Sequence, residues 1–143
     1  MKSKLKKLTM ASTLSLIAGY ASMASAHDVS NKPIGAVPGA TDFYQVTCGP
    51  NTARLEINLH VDTAGGAIVS LQAQKGVIAK NTTDAVGGDA GYSPLLSVPG
   101  GVGVYNVLVD KKRDGARQYD ISYHCKSGSN AHTDTSITQK QDQ

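Results

Sequence analysis

Four histidines, His27, His60, His124 and His132, are the residues of this 143-residue chain best suited to hold a metal. His27 follows a segment that reads as an export signal, so cleavage after Ala26 would make it the new N-terminus. A terminal histidine chelates through its free amine and its ring nitrogen together. A second imidazole then completes the T-shaped copper site known as a histidine brace. His124 or His132 can supply that ring, since each lies near a strand terminus or the chain end. Imidazole and amine ligands suit Cu(II), and all three methionines, which would favour Cu(I), precede His27. The plainer alternative is that His27 merely marks the cut and the other histidines are solvated. Moving the cut by one residue would remove the amine ligand.

The remaining polar residues offer less. His124 shares a strand face with Asp120 and Ser122, where a carboxylate could orient its ring. His60 shares one with Glu56 and Asn58, and both rows also suit the wet face of a sheet. The loop 81–91 carries Asp84 and Asp89 around two glycines, a composition that can offer oxygens to Ca²⁺. It lacks the acid density of an EF-hand, so a long turn is expected there. Tyr92, beside that loop, is placed to contact a glycan or a protein partner. Lys111-Lys112-Arg113, flanked by Asp110 and Asp114, reads as a solvated hairpin tip. Nucleophile-elbow, zinc-protease, P-loop and dinucleotide motifs are all missing, and Gly101-Val102-Gly103 precedes a strand rather than a helix. No catalytic residue is assigned, and the expectation is that the protein is not an enzyme.

Charge depends on where the chain is cut. The whole sequence has 14 basic and 11 acidic residues, a net of +3. Lys2, Lys4, Lys6 and Lys7 form the basic head of the export signal, ahead of an apolar stretch and the small residues Ala24-Ser25-Ala26. Removing those four lysines leaves 10 basic against 11 acidic residues, a net of −1. That balance gives no basic stripe for nucleic acid, and no later apolar run is long enough for a membrane span. Cys48 and Cys125 are the two cysteines, and in an oxidising compartment such a pair reads as a structural disulfide.

The elements that must position these residues are short strands. In 53–61, Leu55, Ile57, Leu59 and Val61 face one way and Arg54, Glu56, Asn58 and His60 the other. Similar runs fall at 42–48, 67–74, 77–80, 93–98, 102–110, 118–125 and 133–139. Gly65-Gly66, Gly87-Gly88, Gly100-Gly101 and Asp114-Gly115 supply turns between them. Tyr44, Tyr105, Tyr119 and Tyr123 fit inward positions, as do both cysteines. Seven or eight such strands predict an all-β, antiparallel β-sandwich. Residues 1–26 are then the signal, 27–41 an extended arm, 42–139 the sandwich and 140–143 a tail.

The order of signals from 42 to 125 resembles the bacterial pre-peptidase C-terminal domain family. Asp42-Phe43-Tyr44-Gln45-Val46 matches its opening strand, and Leu55 to Leu59 its amphipathic Leu-x-Ile-x-Leu strand. Gly103-Val104-Tyr105-Asn106-Val107-Leu108-Val109 matches a late Gly-x-Tyr strand, and Tyr119-Asp120-Ile121-Ser122 the closing one. Where the family has an Asp-Leu-Asp-Leu strand, this chain has Ala67-Ile68-Val69-Ser70-Leu71. The resemblance implies a sandwich of jelly-roll type and a stand-alone binding or structural module without chemistry of its own. The expectation is therefore an exported protein, periplasmic or extracellular, with no resident cofactor and with an unidentified protein or glycan partner. The alternative is a periplasmic Cu²⁺-binding protein using His27 with His124 or His132.

Overall fold

The structure is a computed structural model that describes residues 27–66 and 68–143, so the export-signal reading lies outside the described residues. Among those residues there is no helix. The nine strands are β1 (His27–Ile34), β2 (Thr41–Cys48), β3 (Arg54–Val61), β4 (Val69–Lys75), β5 (Ile78–Asp84), β6 (Leu96–Pro99), β7 (Gly103–Lys111), β8 (Arg117–Lys126) and β9 (Thr135–Gln141).

Their pairing is nested. β1 pairs with β8, β2 with β7, β3 with β6 and β4 with β5, all antiparallel. That is one long hairpin of eight strands rolled onto itself, the jelly roll. Rolling produces two sheets, ordered β1-β8-β3-β6 and β5-β4-β7-β2-β9, with β9 added beyond β2.

Alternation decides which side of each strand turns inward. On β3 the four aliphatic residues are fully buried while Arg54, Glu56, Asn58 and His60 are half-buried on the outer face. On β4 the inward set is Val69, Leu71 and Ala73. Tyr44, Tyr105, Tyr119 and Tyr123 all enter the core, as expected. Each aliphatic side chain so buried contributes about 1.5–3 kcal/mol. Cys48 on β2 and Cys125 on β8 form a disulfide across the two sheets, with Cα atoms 5.6 Å apart. Toward the opposite ends of the same two strands, Tyr119 donates to Asp42 Oδ2 at 2.5 Å, and the Tyr44 and Tyr119 hydroxyls lie 2.6 Å apart. This chain of three polar groups is buried and joins β2 to β8.

Three expectations change. The arm at 27–41 is in fact headed by β1, the first strand of the roll, so nine strands form rather than seven or eight. It escapes the alternation test because it is an edge strand that buries only Ile34 fully. The tail at 140–143 is tied down: Lys140 and Gln141 belong to β9, and the Gln143 backbone bonds Gly35 and Asp42. Lys111 is not at a solvated tip. It is buried, and its ammonium donates to the carbonyls of Val37 at 2.7 Å and Arg113 at 3.0 Å.

Candidate functional site

The outer face of the four-stranded sheet carries the polar residues singled out above. The β3–β8 register sets Glu56 opposite His124, Asn58 opposite Ser122 and His60 opposite Asp120. Asp28 of β1 pairs with Ser122 from the other side. Three buried side-chain polar atoms among the described residues have no hydrogen-bond partner within the chain: Asn58 Oδ1, Asp62 Oδ2 and His124 Nδ1. Leaving a buried polar atom unpaired costs about 1–3 kcal/mol, so such atoms point to something the chain alone does not supply. All three belong to residues that alternation puts on this one face.

His27, His124 and His132 converge at one end of it. The rings of His124 and His132 stand edge to face with centres 4.8 Å apart. The His27 ring lies 6.5 Å from that of His124 and stacks on Tyr123 at 5.7 Å. β1 delivers His27 by pairing it with Tyr123. His132 is delivered by the turn after β8, where it bridges back to Lys126. Arg54 holds that turn, donating to the Ser127 carbonyl at 3.1 Å and Asn130 Oδ1 at 2.6 Å while Glu56 anchors its guanidinium. Asn130 takes the left-handed backbone the turn requires, at φ 68°.

Electrostatics keeps the central ring neutral. Burial, and after it the neighbouring His132 and Lys126, push His124 below the usual histidine range. A neutral imidazole has the lone pair a metal needs. The Lys126 ammonium donates to His132 Nε2 at 2.6 Å, so His132 can ligate through that nitrogen only once the bond is released.

The second candidate region divides. Asp84 is not in a loop: it ends β5, buried, and its carboxylate accepts the amides of Val61 at 2.7 Å and Val86 at 3.1 Å. The stretch 81–84 is strand, and each carboxylate oxygen of Asp84 is engaged by one backbone amide. Asp89 does lie in the loop, and its side chain closes a turn onto the Gly91 amide. Its backbone carbonyl meets His60 Nε2 at 2.8 Å. Tyr92 is half-exposed and sets its ring 5.1 Å from that of His60.

Asp62 and Asp120 around His60 are the residues that sequence reasoning passed over as a group. His60 and Asp62 stand two apart, hence on one face, which alternation alone could have shown. Adding Asp120 required the register between β3 and β8. Comparisons of the chain with protein-family models, with characterised proteins and with solved structures find no match.

Proposed function

We propose that the protein is an exported, non-catalytic binding module of the pre-peptidase-domain kind whose ligand is Cu²⁺, held by His27, His124 and His132. The spacing of the three rings carries this reading. With metal–imidazole bonds of about 2 Å, two ring centres lie about 6 Å apart across an ion and roughly 4.5 Å apart at right angles. The separations of 6.5 and 4.8 Å match those two arrangements. His124 Nδ1, buried and unpaired within the chain, gives a reason for the convergence beyond packing. Cleavage after Ala26 would add the His27 amine as a further nitrogen ligand. The disulfide between Cys48 and Cys125 supports an oxidising compartment, periplasmic or extracellular. An all-nitrogen set favours Cu(II) over harder ions.

The test uses the natively processed chain, with its first residue established by mass. Titration with Cu(II) should give one equivalent bound at submicromolar affinity with a nitrogen-rich electron paramagnetic resonance spectrum. His27→Ala and His124→Ala should each abolish tight binding. One residue added before His27 should weaken it by removing the chelate. Copper binding that none of these changes affects, or no specific binding, sinks the proposal.

A further inference from the structure

His60, Asp62 and Asp120 form a separate constellation on the same face. One potential ligand atom from each lies within 4.8 Å of the other two. His60 Nδ1 is 3.2 Å from Asp62 Oδ1 and 3.8 Å from Asp120 Oδ2. Four residues along β8 separate Asp120 from His124, a distance of about 13 Å in an extended strand. No single ion reaches both groups.

The hydrogen bonds outside the trio define what its inner atoms present. A carbonyl only accepts, so the contact from His60 Nε2 to the Asp89 carbonyl puts a proton on Nε2. In the neutral ring the Nδ1 lone pair is then aimed at two carboxylates. Asp120 Oδ1 accepts the Asn31 amide at 2.7 Å, which leaves Oδ2 turned toward His60. Asp62 Oδ2 is buried with no partner in the chain, as is Asn58 Oδ1 two residues before His60 on the same face. Three converging lone-pair donors repel one another unless a positive charge, either a proton on Nδ1 or a metal ion, lies among them. Ligating histidines ordinarily donate their outer N–H to a backbone carbonyl, and ligating carboxylates are themselves hydrogen-bonded from outside. Both supports are present here. The Tyr92 ring, packed against His60, covers one side.

We propose that His60 Nδ1, Asp62 and Asp120 Oδ2 bind a divalent first-row cation of the Zn²⁺ class at a second site, independent of the histidine cluster. One imidazole and two carboxylates are harder than an all-nitrogen set and suit Zn²⁺ or Mn²⁺. The single face would then hold two ions of different chemistry.

The experiment removes the first site and keeps the second. A chain carrying His27→Ala and His124→Ala is titrated with Zn²⁺ by calorimetry, and the His60 ring is followed by nitrogen-15 NMR. One equivalent should bind, with the Nδ1 resonance shifted and the Nε2 proton retained. In that background Asp62→Asn and Asp120→Asn should each weaken binding by more than about tenfold. The proposal is overturned by no Zn²⁺ binding up to millimolar concentration. It is equally overturned by binding indifferent to both substitutions, or by a His60 ring that keeps protons on both nitrogens with Zn²⁺ present. Should the double variant fail to fold, Mn²⁺ is added to the unaltered chain. Paramagnetic broadening of His60 and Tyr92 supports the site, and broadening confined to His124 and His132 overturns it.

Discussion

Tyr119→Phe should destabilise the protein more than its loss of one oxygen suggests. The Tyr119 hydroxyl donates to Asp42 Oδ2 at 2.5 Å, so its remaining lone pairs must accept from Tyr44, whose hydroxyl is 2.6 Å away. Asp42 and Tyr119 are fully buried and Tyr44 nearly so. Removing the central oxygen deletes a bond to a carboxylate, worth about 1.5–3 kcal/mol, and strands the Tyr44 hydroxyl at a further cost of about 1–3 kcal/mol. Asp42 keeps the Gln143 amide on Oδ1, so one of its oxygens stays satisfied. The expected loss is about 3–5 kcal/mol, a large share of the stability of a domain this size. Tyr44→Phe removes only the outer, neutral bond and should cost about 1 kcal/mol. Urea unfolding reads both. With a slope of about 1–3 kcal/mol per molar, the Tyr119 variant should unfold about 2 M earlier. Equal costs for the two variants, or less than about 1 kcal/mol for Tyr119→Phe, would refute the relay from Tyr44 through Tyr119 to Asp42.

The same group of residues makes stability depend on alkaline pH. Burial, with Asp42 nearby, pushes Tyr44 from 10.0 up to about 12, and burial with the Asp42 bond pushes Tyr119 up as well. The folded chain thus keeps protons that the unfolded chain releases. The contribution is complete below pH 10 and is lost as pH rises from about 10 to 12, at about 3 kcal/mol for Tyr44 alone; thermal unfolding measured from pH 9 to 12 checks it, and a flat profile contradicts it. Reducing the Cys48–Cys125 bond releases a loop of 77 residues and should cost about 4 kcal/mol in the chain-entropy model. Urea midpoints with and without reductant measure that loss. Lys111→Met keeps the buried stem but deprives the Arg113 carbonyl of the ammonium and leaves the Val37 carbonyl with only the longer bond from the Ala40 amide, at 3.3 Å. A loss of about 2–4 kcal/mol is expected, together with faster amide exchange in the β1–β2 connection.

How far the fold could be read from sequence follows from which strands bury one whole face. β3 and β8 alternate over their full length because one side of each meets the core, so Leu55 and Tyr119 declare themselves. β1 gives no such signal. It carries Pro33, tolerated because the strand is at an edge, and a bulge between Val29 and Lys32 that breaks its period. Lys111 misleads for a different reason: its charge suggests solvent, while two carbonyls satisfy it inside. The histidines were identifiable as residue types, but their convergence was not. His27 meets His124 only because β1 pairs with β8, and those residues stand nearly a hundred positions apart in the chain.

That pairing ties both candidate metal sites to a single strand. The first residue of β1 contributes His27 to one site. The bulge four residues on puts Asn31 at φ 55°, and from there its amide holds Asp120 Oδ1 so that Oδ2 faces His60. Asparagine tolerates that left-handed conformation far better than a branched residue would. Without β1, β8 would be an edge strand, His124 would lose one neighbouring ring, and Asp120 could turn either oxygen inward. An edge strand that adds little to the core therefore does much to align the polar face, because an edge position leaves its side chains and its bulge to be chosen for the groups they position rather than for packing.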